Sequence, residues 1–306
     1  MKVYVIIVSY NGMKWIDQCL SSLLKSNIDI QIIVVDNAST DRTPAFIKEN
    51  YKTVVLLEQS KNIGFGKANN IGLKMALEGK CDFSFLLNQD AFVAPETIEI
   101  LIKASEKNPE FGIISPIHLN GAGTYLDTSF LYYIKNGGNS DFLNDSILNK
   151  DKQDLYDYRM INAAAWLLPV GTLKTVGGFS PIFFLYGEDD NYCQRVYYHG
   201  LKIGISPSTM IRHDSENNIH AEIVKGSKRY YDIFLNRIKI KYANVNTNDY
   251  KQLNMLKNYQ LKKAVKSLLK GNVEDFQINM KKRRLIKDLD FTLDIVEGRK
   301  KKANYL

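Results

Sequence analysis

The run VYVIIVSYNG, residues 3–12, decides the fold. It is apolar and β-branched through Val8, then breaks at Ser9-Tyr10-Asn11-Gly12. A secretory leader would carry a longer apolar core and a small-residue cleavage site, so the run reads as a buried first strand and the protein is expected in the cytoplasm. Three runs of the same kind follow: IQIIVVD (30–36), TVVLLE (53–58) and FSFLLNQD (83–90). Between them Trp15, Cys19, Leu20, Leu23 and Leu24 recur at helical spacing, Pro44 suits a first helical position after Thr43, and Ile71, Met75 and Ala76 form another stripe. Pro95 is expected to open a fourth helix bearing Ile98, Leu101 and Ile102. Strand–helix alternation of this kind means an α/β fold with a mostly parallel sheet flanked by helices. In such sheets ligands bind beyond the carboxyl ends of the strands. Polar residues stand there repeatedly: Ser9-Tyr10-Asn11, Asp36-Asn37 and Asn88-Gln89-Asp90.

Past the fourth strand the texture changes. Residues 120–160 are rich in Gly, Asn, Asp and Tyr with weak periodicity, and read as an irregular excursion over the sheet. Acceptor contacts are expected from residues 120–165, without a residue-level pattern. Apolar order returns at MINAAAWLLPV (160–170), turns at Gly177-Gly178, and a helix is expected from Glu188 through Cys193, Val196 and Tyr197. From 225 onward the chain is helical, basic and tyrosine-rich. Residues 225–306 hold 21 Lys/Arg against 8 Asp/Glu, a net of +13, whereas the first 224 hold 20 against 25, a net of −5. Two parts follow, a sheet domain over 1–224 and a basic helical extension over 225–306.

Within that extension Leu261, Val265, Leu268 and Leu269 line one face of a helix over 255–270, with Lys257, Lys262, Lys263, Lys266 and Lys270 around the rest. A narrow apolar face set in lysines suits an anionic membrane surface. The competing role is packing against the sheet domain or a second protomer, as in a homodimer. No nucleic-acid-binding motif is present, so nucleic acid is not an expected partner. No apolar run approaches the roughly 18 residues that cross a bilayer. Cys19, Cys81 and Cys193 form no CxxC pair, which excludes a thiolate zinc site and a disulfide framework.

Several residues have side chains suited to chemistry. Asp36, at a strand end, can accept hydrogen bonds from a ribose or a base, or simply close an Asx-turn. NIGFGKANNIG (62–72) starts like a dinucleotide fingerprint, but Asn69 replaces the third glycine and the stretch follows the third strand, not the first. A glycine-loosened turn into a helix, with Asn62, Gly64, Lys67 and Asn70, still suits a diphosphate or a sugar. Asp90 can help to hold a hard divalent cation, Mg²⁺ or Mn²⁺, or form a turn. His213 follows another strand-like run, KIGISPSTMI, and gains weight as a ligand if Asp90 and a phosphate converge on it. In FFLYGEDDNYCQRV (183–196), Glu188, Asp189 and Asp190 directly follow an apolar run, where carboxylates need a reason to be. A helix N-terminus is one such reason.

In this order the segments VIIVSYNG, IIVVDNASTD, NIGFGKANNIG, LLNQDAFV and VGGFSPIFFLYGEDDNYCQRV resemble the inverting family 2 glycosyltransferases, whose fold is the Rossmann-like GT-A type. The similarity is greatest to the bacterial rhamnosyltransferase-like branch and extends over residues 3 to about 214. The resemblance implies that Ser9, Tyr10 and Asn11 line a nucleotide pocket, that Asp36 meets the base, and that the loop from Asn62 through Asn70 continues the donor site with Asn88. It implies metal contacts from Asp90 and His213, with Mg²⁺ or Mn²⁺ as cofactor. It implies that Asp189 is the catalytic base, with Glu188 orienting it or the acceptor and Asp190 as the alternative base. Packing of the aromatic run beneath would hold the carboxylates in place.

The family pattern is broken in two places. Asn88 and Gln89 stand where acids are frequent, and Asn191 stands where a second acid often follows the base.

The activity so implied is transfer of a sugar from dTDP-rhamnose or a UDP-sugar to a glycan or lipid-linked acceptor in bacterial cell-surface polysaccharide synthesis. Two rivals remain at this stage. A sugar-phosphate nucleotidyltransferase would more typically open with a glycine- and arginine-rich loop, which SYNG lacks. A non-catalytic membrane-surface or partner-binding protein would draw on the basic tail and the incomplete acid signature.

Overall fold

A computed structural model describes residues 1–137, 140–215, 223–302 and 304–306. The chain divides into two compact units, Met1–Ile219 with Lys300–Leu306, and His220–Arg299.

The first unit opens with β1 (Val3–Ser9), α1 (Ile16–Leu23), β2 (Ile30–Asp36), α2 (Thr43–Asn50), β3 (Val55–Glu58), α3 (Phe65–Glu78) and β4 (Phe83–Asn88). These strands pair in parallel, β1 lying between β2 and β4 and β3 lying outside β2, as the alternation predicts. Then follow β5 (Ala91–Val93), α4 (Thr97–Lys107), β6 (Phe111–Asn120), α5 (Thr128–Asn136), α6 (Asp141–Ile147), β7 (Tyr156–Asp157), β8 (Ala165–Pro169), α7 (Val170–Val176), α8 (Glu188–Tyr198) and β9 (Lys202–His213). The nine-stranded sheet runs β3-β2-β1-β4-β8-β6-β9-β5, with β7 paired to β9. Its second half is mixed: β8 runs antiparallel between β4 and β6, and β5 and β7 run antiparallel to β9.

Successive residues of β1 face opposite sides of the sheet, as strand geometry requires. Tyr4, Ile6 and Val8 join the core that holds Leu73 and Ala76 of α3 with Trp166, Phe179 and Tyr192. Val3, Val5 and Ile7 join the opposite core with Leu20 and Leu23 of α1 and Leu101 and Ile102 of α4. Each such side chain, fully buried, contributes roughly 1.5–3 kcal/mol. The three cysteines are buried and unpaired.

Two expectations need correction. The helix after Pro95 begins two residues later, at Thr97. The stretch 120–160 is more ordered than its composition suggests: Asp127 caps α5 through a 2.9 Å hydrogen bond from the Phe130 N–H, and α6 follows. In α5, a short helix, a weak apolar stripe suffices because a strong cap starts the turn.

The second unit contains α9 (Lys228–Tyr242), α10 (Leu253–Leu269), α11 (Val273–Lys287) and α12 (Thr292–Gly298). Ala264, Ile278, Ile286 and Ile295 are buried within it. Arg299 ties its end back, donating to the Val245 and Thr247 carbonyls at 2.9 Å each. Leu261, Val265, Leu268 and Leu269 of α10 are exposed, with Leu269 at 84%. No helix among the described residues is long and apolar enough to cross a membrane.

Candidate active site

The carboxyl ends of β1 and β2 form one wall. Ser9 Oγ donates to Asp36 Oδ1 at 2.9 Å, and the Ser39 N–H donates to Asp36 Oδ2 at 2.8 Å. Asp36 is buried, and its oxygens first of all shape the turn through Ser39. Asn11 sits at φ +48°; its N–H donates to Ser39 Oγ and its side-chain oxygen accepts from the Thr40 N–H at 2.8 Å. Tyr10 is exposed, with its peptide held at both ends by Gln89: N–H to Oε1 at 2.9 Å, and carbonyl from Nε2 at 3.1 Å. Gln89 therefore has a local task that an acid could not perform in full, since a carboxylate has no N–H to give.

The glycine loop lies beside this wall. Asn62 Oδ1 accepts from Asn37 Nδ2 at 2.9 Å and from the Gly64 N–H at 3.0 Å. Gly64 sits at φ +90°, and a Cβ there would stand 2.3 Å from the Phe184 carbonyl oxygen. That same carbonyl accepts from the Phe65 N–H at 3.1 Å, joining the loop to the segment before α8. Lys67 is exposed in the first turn of α3, where a cation opposes the helix dipole. An anionic ligand would offset that cost. Asn70 faces the other way: its Nδ2 donates to the Phe179 carbonyl at 2.8 Å and its Oδ1 accepts from the Phe179 N–H at 2.7 Å. Its amide positions the Gly177–Phe179 turn.

At the end of β4, Asp90 Oδ1 lies 3.4 Å from His213 Nε2, and Asn88 Nδ2 also lies 3.4 Å from that nitrogen. The register of β5 with β9, Ala91 opposite His213, brings them together. On the far side of the ring Nδ1 stands 3.3 Å from Asp127 Oδ2. Burial alone pulls this imidazole down, but Asp127 and Asp90 more than reverse it and lift it to about 9. Neighbouring His118 is pushed down to about 3 by burial and then by the charge of His213, and stays neutral with Ser115 Oγ 3.0 Å from its Nε2.

The three acids open α8 behind Tyr186 and Gly187, both at positive φ. Of the preceding apolar run only Phe183 is buried; Phe184, Leu185 and Tyr186 are exposed, so the run packs beneath the acids at one residue, not along its length. Burial and then the charge of Asp189 lift Glu188 to about 8 and Asp190 to about 7. Asp189 is raised by burial too, but the Asp190 N–H donates to it at 2.9 Å and the Ala163 peptide also favours its charged form. With those groups it is the member of the trio best able to stay ionised. Asn191 is buried and accepts from Arg195 Nε at 3.2 Å. Arg195 itself is buried against the Val176 and Gly178 carbonyls, so the position where an acid is frequent serves here to lock α8 to its turn.

The segment 163–164 joins the two groups of acids. The Ala164 carbonyl accepts from the Asn88 N–H at 2.9 Å, and the neighbouring Ala163 peptide favours the charged form of Asp189. The segment 163–164 therefore lies at the carboxyl end of β4, beside the Asn88–Asp90 turn.

A sequence profile described as glycosyl transferase family 2 matches residues 4–161, just over half of the chain. The chain belongs to glycosyl transferase family 2. An uncharacterized glycosyltransferase of Haemophilus influenzae is 30% identical over 129 residues, 41% of this chain and 36% of that protein. An N-acetylglucosaminyl-diphospho-decaprenol L-rhamnosyltransferase of Mycobacterium tuberculosis is 25% identical over 231 residues, 68% of this chain and 75% of the relative. The crystal structure of GalNAc-T7 with UDP, GalNAc and Mn²⁺ superposes with a TM-score of 0.61 at 16% identity, covering 97% of this chain and 57% of that one. That likeness shows the GT-A fold.

In this family 2 glycosyltransferase no three His, Cys, Asp or Glu side chains among the described residues converge as a metal cluster. The pair Asp90–His213 is extended instead by Asn88, whose Oδ1 is buried without a hydrogen-bond partner. One carboxylate, one imidazole and one orphaned amide oxygen form an oxygen-rich donor set that fits Mg²⁺ or Mn²⁺. Asp127, which sequence reasoning missed, backs the histidine as a carboxylate behind a metal-binding ring would.

Proposed function

We propose that this glycosyltransferase inverts the anomeric centre of a sugar taken from a nucleoside diphosphate donor, dTDP-rhamnose or a UDP-sugar, and delivers it to a glycan or lipid-linked acceptor of bacterial surface polysaccharide. The donor's nucleoside meets Ser9, Tyr10, Asn11 and Asp36, and its diphosphate lies between the loop from Asn62 through Lys67 and the Asn88–Asp90 turn. Asp90, His213 and Asn88 would hold a divalent cation, which would supply positive charge beside the departing diphosphate. Asp189 accepts the proton of the acceptor hydroxyl as that oxygen attacks from the opposite face of the sugar. Glu188, buried and largely protonated at neutral pH, orients rather than accepts. The mycobacterial relative's name, with its diphospho-lipid acceptor, supports a lipid-linked acceptor and the rhamnosyl donor. The protein works in the cytoplasm, and its 225–306 extension, through the exposed face of α10, rests on the anionic inner face of the membrane.

One observation supports this reading: the Ala164 carbonyl accepts from the Asn88 N–H at 2.9 Å, and the adjoining Ala163 peptide is among the groups that favour the charged form of Asp189. Calorimetry with UDP and dTDP, with and without Mn²⁺, should show metal-enhanced binding of one of them. Asp189→Asn should keep that binding and lose transfer by roughly 10²–10⁴-fold. Near-normal turnover in the variant would remove Asp189 from the role.

A further inference from the structure

Beside the acids lies a pocket of about 270 Å³ lined by Tyr132, Tyr133, Asn136, Arg159, Met160 and Asp190. It is just below the usual range for ligand sites, about 300–1,000 Å³, which suits a sugar ring better than a nucleotide. Tyr132 and Tyr133 come from the last turns of α5 and cross edge to face at 5.7 Å. Tyr132 is 63% exposed, so its ring face is available. Asn136 is held by donating Nδ2 to the Tyr132 carbonyl at 2.7 Å. Tyr133 lines the same pocket as Asp190. Arg159 begins the run that ends in Ala163, whose peptide favours the charged form of Asp189. Its side chain is exposed, and no carboxylate among the described residues pairs with it.

We propose that this pocket is the acceptor subsite and that it takes a glycosyl phosphate, with the sugar ring against Tyr132 and Asp190 and the phosphate on Arg159. The proposal rests on the transferase reading above and gives its acceptor a chemical class. Three features carry it. An exposed tyrosine ring offers an apolar face with a polar tip, which suits the mixed surface of a sugar. A carboxylate at the wall accepts from sugar hydroxyls. A guanidinium without a carboxylate partner suits the planar, bidentate hydrogen bonding that a phosphate supplies. A neutral sugar would leave that guanidinium unused. Asp190, one residue beyond the base, then sets which hydroxyl is presented to Asp189.

The test uses the full chain with its nucleotide pocket filled by UDP or dTDP, and saturation-transfer NMR with hexose 1-phosphates, the matching free hexoses and inorganic phosphate. The sugar phosphates should bind at least tenfold more tightly than either part alone. Arg159→Gln should abolish the advantage over the free sugar, and Tyr132→Ala should weaken both sugars about tenfold; both residues are exposed, so thermal melts and nucleotide binding should be unchanged. Equal binding of free and phosphorylated sugar, an Arg159→Gln variant that keeps the preference, or inorganic phosphate competing as well as the sugar phosphate would overturn the assignment. Failure of the transferase reading looks different: no nucleotide binds, whatever the pocket does. The same hexose phosphates carried on a lipid separate a membrane-borne acceptor from a soluble one, since a lipid-linked substrate should gain further affinity only when vesicles are present.

Discussion

Asp127 Oδ2 stands 3.3 Å from Nδ1 of His213, while the same carboxylate's Oδ1 accepts from the Phe130 N–H and starts α5. One buried acid thus backs the histidine that faces Asp90 and begins the helix whose far end supplies Tyr132 and Tyr133. Asparagine is as good an N-cap as aspartate, so Asp127→Asn should preserve α5 while removing the charge behind His213. Loss of such a backing carboxylate typically weakens a metal site about 10–100-fold. Titration of Mn²⁺ followed by electron paramagnetic resonance should show that loss, together with a lower melting temperature because the buried His213 loses one of its two carboxylates. Unaltered Mn²⁺ affinity would reduce Asp127 to a helix cap.

The close approach of Gly64 to Phe184 ties the glycine loop to the segment carrying the acids. Gly64→Ala would set a Cβ 2.3 Å from the Phe184 carbonyl at a φ of +90°. Strain at such a position costs roughly 1–3 kcal/mol, and here the clash is with backbone, which cannot rotate away. The expected result is a lower melting temperature together with weaker nucleotide binding, because the 62–67 loop must shift. A variant with wild-type melting and affinity would show that the loop has room to spare.

How much of this was legible in the sequence depends on the kind of contact involved. The first four strands and the helices between them follow from apolar runs and periodicity, which are local signals. The antiparallel insertion of β8 does not, because strand order is set by long-range pairing that no local pattern encodes. Asn70 illustrates the same divide: its position beside the glycine loop is readable, but its pair of hydrogen bonds with the Phe179 backbone, 109 residues away, is not. In the aromatic run before the acids, hydrophobicity suggested burial, yet Phe184, Leu185 and Tyr186 are exposed because two consecutive positive-φ residues turn the chain outward there. Asp127 had a signal, an Asp followed by Thr-Ser ahead of an apolar stretch, and the excursion's composition obscured it.

Glu188 should make stability depend on pH. Its carboxyl titrates at about 8 in the folded chain against an ordinary value of 4.5, because it is buried and beside Asp189. Between those values the folded protein holds a proton that the unfolded chain has released. The stabilisation is therefore fully present below about pH 4.5 and is lost as pH rises through about 8. Glu188→Gln stays neutral throughout, so it should melt close to wild type at about pH 5 and above it at about pH 8.5. Asp190, raised to about 7, leaves part of the slope in place. Thermal melts across this range check the sign, and an unchanged profile would move the proton to another group.

The exposed face of α10 makes the last prediction. Leu261, Val265, Leu268 and Leu269 are solvent-facing on a helix whose lysines Lys262, Lys263, Lys266 and Lys270 are exposed too. Apolar side chains held out beside several cations cost solubility unless a surface of opposite charge and apolar depth receives them. Each lysine near an anionic bilayer contributes about 1 kcal/mol, and that share is screened by salt. The full chain should therefore co-sediment with vesicles containing phosphatidylglycerol and not with phosphatidylcholine alone, and added salt should release it. Replacing Lys262, Lys263 and Lys266 with glutamine should weaken that binding by about tenfold or more, while Leu269→Ala should weaken it without altering the salt dependence. Neither change touches the sheet unit's acids, so transfer to a water-soluble acceptor should continue at the wild-type rate. Sedimentation indifferent to anionic lipid would instead assign this face to a protein contact, and a concentration-dependent dimer in the absence of lipid would name the partner as a second copy of the chain.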